Sequence, residues 1–155
     1  MPNPQSNPPD AAAPKRELLL LAGLALIVFL IYAQTLTGPF VFDDKSNIRD
    51  NPHIRLTRIS WKALQTAARE SSERNRPVAN VSFALNYYFN HYNVVGYHLV
   101  NILIHITNGI LLYLLTQATL RTPALHARYT RVKWVPFFTA GIWMVHPLQT
   151  QSVAY

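Results

Sequence analysis

The sequence contains no cysteine, and only 14% of its 155 residues are charged. The absence of cysteine excludes disulfides, a thiolate nucleophile and cysteine-ligated zinc. The charged fraction is well below the roughly one quarter that is typical of soluble domains, while half of the residues are hydrophobic. This composition excludes an ordinary water-soluble globule and indicates a membrane protein.

Acidic residues are scarce, since seven Asp and Glu stand against 14 Lys and Arg, for a formal net charge of +7. The basic residues are scattered, without the runs or interleaved aromatic residues of a nucleic-acid reader, so nucleic acid is not an expected partner. We expect the excess positive charge to set the topology of the chain and to contact the headgroups of membrane lipid.

Long uncharged runs predict an all-α integral membrane fold with about three transmembrane helices. The predicted spans are 18–37, 94–120 and 134–152. About 20 helical residues match the roughly 30 Å hydrocarbon layer of a bilayer. Residues 1–17, which are rich in proline, are predicted to form a disordered tail. For the first run, a cleaved signal peptide is the alternative, because basic residues precede it.

The distribution of basic residues predicts the orientation. The connection 121–133 carries four basic residues and no acid, which is typical of a cytoplasmic loop. The tail 1–17 then also lies in the cytoplasm, and the loop 38–93 lies on the other side. The sequence therefore predicts a multi-pass protein of a bacterial inner membrane or an ER membrane, with its N-terminus in the cytoplasm.

The loop 38–93 contains an amphipathic pattern. Between Leu56 and Ala68, apolar residues fall on one face of a helix and basic residues on the other. This pattern predicts a short helix lying in the membrane interface, with Ser60 or Thr57 as its N-cap. The alternative is a surface helix that packs on the rest of the loop.

Asp43 and Asp44 follow the first predicted span within a few residues. Carboxylates beside the hydrocarbon layer are costly unless they are hydrated, paired or used in chemistry. One of them could act as general base toward an acceptor hydroxyl. The pair could equally bind a divalent cation, or form a salt bridge with Lys45 or Arg49.

Four polar residues of the second predicted span fall on one helical face, namely His98, Asn101, His105 and Asn108. Interhelical hydrogen bonding is one interpretation of this stripe, and a ligand-lining role for His98 is the other. The two histidines lie about 10 Å apart along the helix, too far to share one metal ion. No metal site is therefore predicted here.

The predicted topology gathers Arg76, His98 and His146 at the same membrane face as Asp43 and Asp44. A guanidinium group suits phosphate recognition. Such a set of side chains could hold a lipid-linked phosphate beside a base.

Four blocks carry a family resemblance: GPFVFDDKSNIRDNPHI (38–54), RPVANVSFALNYYFN (76–90), GYHLVNILIHITNGILLYLL (96–115) and HPLQTQSVAY (146–155). In this order they resemble the N-terminal membrane part of tetratricopeptide-repeat membrane proteins related to the protein O-mannosyltransferases. The resemblance implies a type-C glycosyltransferase fold, a polyprenyl-phosphate-linked sugar as donor and a protein acceptor. It also implies an essential acid in the first outer loop, here Asp43 or Asp44, and interfacial helices in that loop.

The resemblance further implies more membrane helices and a C-terminal repeat array, so the chain is interpreted as a fragment of a larger domain that is inactive alone. Arg76, with His98 or His146, would then bind the donor phosphate. One alternative is a non-catalytic membrane anchor or scaffold for a tetratricopeptide-repeat array. Another is a small transport or channel subunit lined by the His/Asn stripe.

Overall fold

The computed structural model describes residues 13–41, 43–125 and 132–154 and is helical within those ranges. Most of the predicted tail, residues 1–12, and nearly half of the basic connection, residues 126–131, lie outside them. The helices are α1 Ala13–Tyr32, α2 Trp61–Glu70, α3 Pro77–Asn90, α4 Val94–Leu120, α5 Val135–Val145 and α6 Thr150–Ala154. Short 3-10 turns occupy Ala33–Thr37, Pro52–Ile54 and Pro147–Gln149, and a π-helical turn occupies Lys45–Arg49.

Two helical segments, Lys15–Thr37 and Val94–Leu120, are long and apolar enough to span a membrane. The second has the range predicted from the sequence. The first helix begins at Ala13 rather than at residue 18, since proline is compatible with the first turn of a helix and does not stop it at Pro14.

α1 and α4 are antiparallel neighbours, and a hydrogen bond joins them at each end. At one end, Nε2 of His98 lies 3.1 Å from the carbonyl oxygen of Gly38. At the other end, the hydroxyl of Tyr113 donates to Glu17 at 3.3 Å. We call the end with His98 the loop end of the bundle, because residues 38–93 begin and finish there.

The predicted third span, 134–152, is not one helix, so a third transmembrane helix is not confirmed. α5 has 11 residues, about 16 Å of helix, which is roughly half of the hydrocarbon layer. It stops at Val145 because Pro147 has no N–H to donate and forces the residue before it into extended backbone. His146 is accordingly extended, with φ −66° and ψ 132°.

α5 packs closely on α4 through small residues. Ala140 is fully buried, and a Cβ on Gly109 would overlap the side chain of Met144. Small residues allow helix backbones in membrane proteins to approach closely. His105 strengthens this contact, because its Nε2 lies 2.8 Å from the carbonyl oxygen of Met144 and its ring stacks on Trp143.

Residues 38–41 and 43–93, which we call the loop unit, have a hydrophobic core of their own. Its buried members are Ile48, Ile54, Leu56, Ala67, Ala84 and, from α4, Tyr97. α2 packs its apolar face on this core through Ala63, Leu64 and Ala67. Ser60 caps α2, as predicted, by accepting the N–H of Ala63 at 3.3 Å. α2 thus packs on the rest of the loop, as the alternative has it, while Trp61 at its start is 75% exposed, and an interfacial position is not confirmed.

The close approach of α5 to α4 yields a stability prediction. Gly109→Leu should lower the free energy of unfolding by about 1–3 kcal/mol, because the new side chain overpacks a filled contact. Thermal unfolding in detergent micelles measures the effect. Gly23→Leu in α1 is the matched control, since a Cβ there meets nothing within 4 Å. Equal stability of the two variants would contradict the packing described here.

Candidate functional site

Asp43 and Asp44 lie at the start of the loop unit, on the turn that leads into Lys45–Arg49. The carboxylate of Asp44 is half-buried and accepts the backbone N–H of Val41 at 3.2 Å. Asp43 is exposed, and its backbone carbonyl accepts the hydroxyl of Ser46 at 3.0 Å. One carboxylate therefore helps to shape the turn, while the other faces solvent.

Neither carboxylate forms an ion pair within 4.0 Å with any basic residue in the described ranges, where the pair of His53 and Glu70 is found instead. The predicted alternative of a salt bridge to Lys45 or Arg49 is thus not observed. The described residues also contain no group of three or more His, Asp or Glu side chains that could hold a metal ion.

The position of the Asp pair is set by contacts between residues 38–41 and α4. Gly38 meets His98, and the ring of Phe40 packs edge-on against Tyr97 with centroids 5.3 Å apart. Gly38 is suited to this place because a Cβ there would lie 3.2 Å from the backbone oxygen of Thr35 and 3.6 Å from Nε2 of His98. These contacts hold the Asp pair at the loop end of the bundle.

Arg76 is exposed and immediately precedes α3. The segment before it is joined to the Asp segment, because the hydroxyl of Ser72 donates to the carbonyl of Ser46 at 3.0 Å. The buried amide of Asn80 also donates to the carbonyl of Glu73 at 2.9 Å. The turn before Arg76 and the segment with Asp43 and Asp44 therefore belong to the same unit. The side chains of Arg76 and Asp43 are both exposed.

His98 is 3% exposed. Because a carbonyl oxygen only accepts, Nε2 donates to Gly38, while Nδ1 is buried without a hydrogen-bond partner in the described part of the chain. His105 bonds the Met144 carbonyl in the same way. For both histidines of the stripe, the structure matches the predicted alternative of hydrogen bonding between helical segments.

The same stripe explains how two helices end beside α4. The carbonyls of Gly38 and Met144 lie at or just past the last turns of their helical segments, where no intrahelical N–H is available. His98 and His105 supply those donors. Asn101 is half-buried and Asn108 is exposed, and neither side chain forms a hydrogen bond within the described residues.

His146 lies deeper in the bundle than the predicted topology placed it. It follows α5, whose Met144 carbonyl is level with His105, about 10 Å along α4 from His98. Its side chain is exposed, and its Nδ1 accepts the N–H of Leu148 at 3.2 Å. The structure therefore separates His146 from the loop end, because α5 is shorter than a spanning helix.

Several residues that build the site were not predicted. The side chains of Ser72 and Asn80 connect the loop segments by donating to backbone carbonyls. The ring of Tyr97 packs against Phe40. Serine and asparagine in a loop are ordinary, so no local pattern marks them. The contact of Gly38 with His98 joins residues 60 positions apart, so no local pattern marks it either.

Curated relatives match most of the chain. Protein O-mannosyl-transferase F38B6.6 of Caenorhabditis elegans is 30% identical over 147 residues, which cover 90% of this chain and 20% of the relative. Protein O-mannosyl-transferase TMTC1 of Homo sapiens is 30% identical over 152 residues, which cover 92% of this chain and 16% of that relative. Protein O-mannosyl-transferase Tmtc1 of Drosophila melanogaster is 29% identical over 152 residues, which cover 94% of this chain and 16% of that relative.

The chain is a relative of the protein O-mannosyl-transferases. This relationship confirms the resemblance predicted from the four sequence blocks. The chain spans only about a fifth or less of the length of these relatives. No family model matches the chain, and no solved structure matches it.

The buried bond to Gly38 yields a prediction for this O-mannosyl-transferase relative. His98→Ala should lower the free energy of unfolding by about 1–3 kcal/mol, because it leaves the Gly38 carbonyl without its donor. Thermal unfolding in micelles measures it, and His98→Gln should recover part of the loss by donating again. His146→Ala serves as control because that ring is exposed. An equal loss in His146→Ala would argue against the assigned role of His98.

Proposed function

We propose that the chain forms part of the active site of a membrane O-mannosyl-transferase. In this proposal a longer protein transfers mannose from a polyprenyl-phosphate donor to a serine or threonine hydroxyl of a protein, on the non-cytoplasmic side. The relatives' names support the reaction class. The single structural observation that carries the proposal is the exposed carboxylate of Asp43 beside the end of the first span, without an ion pair in the described ranges.

The proposed reaction is one displacement with inversion at the sugar. The carboxylate of Asp43, or that of Asp44, takes the proton of the acceptor hydroxyl while its oxygen attacks the anomeric carbon. The bond from that carbon to the phosphate oxygen breaks, and polyprenyl phosphate leaves with the electron pair. Proton transfer to a positioned base typically contributes a factor of about 10²–10⁴ in rate.

Arg76 is proposed to neutralise the charge that develops on the leaving phosphate. Its exposed position in the loop unit, on a segment bonded to that of the aspartates, supports this role. We retain His98 and His146 as candidates for the substrate site, but not in direct contact with the phosphate. His98 is buried, and His146 lies deeper along the bundle.

The proposed orientation places the loop unit on the non-cytoplasmic side and the N-terminus in the cytoplasm. At the end of the bundle opposite the loop unit, the guanidinium of Arg16 lies 5.5 Å from the ring centroid of Trp134. A basic residue paired with an aromatic one is typical of a membrane interface. This contact supports placing residues 15–16 and 134 at one membrane boundary, and the four basic residues of the connection 121–133 favour the cytoplasmic side for it.

Asp43→Asn and Asp44→Asn test the base in the full-length protein. Loss of the base should lower kcat by about 10²–10⁴-fold, because the acceptor proton then has no partner. Mannosyl transfer from a polyprenyl-phosphate donor to an acceptor peptide measures it. Asp50→Asn is the matched control, since it is an exposed acid seven residues after Asp43.

Three outcomes of that assay count against the proposal. Normal transfer by both variants would remove the base assignment. Transfer that stops on chelation of divalent cations and returns with Mg²⁺ would assign the acids to a metal ion. Absence of transfer in the wild-type protein, with its assemblies intact in the double variant, would favour a membrane scaffold.

Arg76→Ala should raise the KM for the donor more than it lowers kcat if the guanidinium binds the phosphate already in the ground state. The same transfer assay measures both constants over a range of donor concentration. Arg74→Ala is the control, because Arg74 is also exposed and lies two residues earlier in the turn. An equal effect of the two variants would mean that only the general positive charge of the turn matters.

A further inference from the structure

A surface pocket of the loop unit lies where the segment 52–58 meets the first two turns of α2. Its volume is about 370 Å³, which lies in the range of roughly 300–1,000 Å³ that is usual for small-molecule sites. Its apolar lining is Pro52, Leu56 and Ala63, and the last two also pack in the core of the loop unit. The rest of the lining is polar. The pocket is therefore built on a packed core but presents polar groups to a ligand.

Three basic side chains line this pocket, which we call the basic pocket: Arg55, Arg58 and Lys62. No lining residue in the described part of the chain is acidic. None of the three cations has a carboxylate within 4.0 Å in the described ranges, where Glu70 pairs with His53 instead. Positive charge of one sign, left without a counter-charge in one concavity, attracts an anion.

The donors of the basic pocket suit phosphate oxygens. The guanidinium of Arg55 is held in place, because it donates to the carbonyl of Arg49 at 3.2 Å and lies 6.0 Å from the ring centroid of Tyr92. The hydroxyl oxygen of Ser60 accepts the N–H of Ala63, so its hydrogen is left to donate to a ligand. Guanidinium groups bind phosphate oxygens in pairs, and hydroxyls add single bonds.

Large apolar side chains stand beside these cations. Ile59 is 51% exposed and Trp61 is 75% exposed, and in the sequence they alternate with the lining residues Arg58, Ser60 and Lys62. A soluble anion gains nothing from such neighbours. Tryptophan is enriched at the level of lipid headgroups, and basic residues interleaved with large apolar ones are typical of surfaces that lie on lipid.

The place of the loop unit in the fold favours the same ligand. The unit connects two helical segments that are long and apolar enough to span a membrane, so it lies at a membrane surface. We propose that the basic pocket binds the phosphate of an anionic phospholipid headgroup, with Ile59 and Trp61 in contact with the lipid beside it. The pocket shares no lining residue with the site around Asp43 and Asp44, and this proposal is independent of the transfer reaction.

Photolabelling of the full-length protein in neutral detergent micelles tests the site. The probe is phosphatidylglycerol with a diazirine on its headgroup, added in equimolar amount, and the labelled peptides are mapped by mass spectrometry. The label should appear on residues 55–66. Unlabelled phosphatidylglycerol should displace it at about tenfold lower concentration than phosphatidylcholine, because the choline cation cancels the charge that the basic residues attract.

Loss of two cations should remove most of this label. Arg58→Gln combined with Lys62→Gln should lower the labelling of 55–66 about 10- to 25-fold, since each basic residue near an anionic lipid surface contributes roughly fivefold to binding. The matched control is Arg69→Gln combined with Arg74→Gln. Both of these are exposed basic residues of the loop unit that do not line the pocket.

Trp61→Ala tests the lipid rather than the charge. It should lower the labelling about threefold with all three cations in place, because binding to a lipid surface scales with the apolar area that is buried. Phe89→Ala is the matched control, since Phe89 is an aromatic residue that is 70% exposed and does not line the pocket. Because the side chain of Trp61 is exposed, this variant also serves as the second test should the double variant fail to fold.

Several results would overturn the proposal. Absence of label from 55–66, or equal displacement by phosphatidylcholine, would mean that the pocket does not select an anionic lipid. Displacement by inorganic phosphate at the same concentration as by phosphatidylglycerol would assign the pocket to a soluble anion. Displacement at lower concentration by polyprenyl phosphate would assign it to the donor lipid, and by polyglutamate to an acidic protein.

An equal loss of label in the Arg69 and Arg74 control would also contradict the proposal, because only the net charge of the loop unit would then matter. Each of these results is read without any transfer assay. The outcome is therefore separate from that for Asp43 and Asp44.

Discussion

The hydrogen bond from buried His98 to the carbonyl of Gly38 is the contact on which the loop end of the bundle depends. It joins the residue that follows the first span to the second turn of α4. An unpaired carbonyl beside the hydrocarbon layer costs free energy because no water replaces the missing donor. The bond therefore both completes the backbone of one segment and sets where the Asp43–Asp44 turn begins.

A second backbone carbonyl, deeper in the bundle, also needs a donor from α4. α5 ends inside the bundle, and its last turn leaves carbonyls without intrahelical donors. His105, seven residues after His98, donates to the Met144 carbonyl there. A single stripe on α4 thus completes two neighbouring helix ends, which accounts for two polar rings on an otherwise apolar helix without any bound ligand.

The loop unit is a small packed layer above the two long helices rather than a free connection. Its core takes residues from the turns after α1, from α2 and α3, and from Tyr97 at the top of α4. Backbone-directed bonds from Ser72 and Asn80 then hold the exposed charged turns in place. One side of α3 faces this core, and its other side lines a groove with the first turns of α4.

The sequence by itself determined the features that depend on composition and short-range pattern. The uncharged run at 94–120 is one helix, because an apolar stretch of that length satisfies its backbone internally. Ser60 caps α2, because the serine hydroxyl reaches the N–H three residues on. The position of the Asp pair just after the first span, and the relationship to O-mannosyl-transferases, were also predicted from residues 38–54 and the later blocks.

Only the tertiary structure decided which faces are covered. The amphipathic pattern of α2 is the same for a helix on lipid and for one on protein, and only the structure shows Ile48, Ile54 and Leu56 packing against it. The polar stripe could line a cavity or bond a neighbour, and the bonds of His98 and His105 are formed with carbonyls that lie far away in the sequence. The physical reason is that periodicity reports which residues share a face, while the partner of that face is set by parts of the chain far away in sequence.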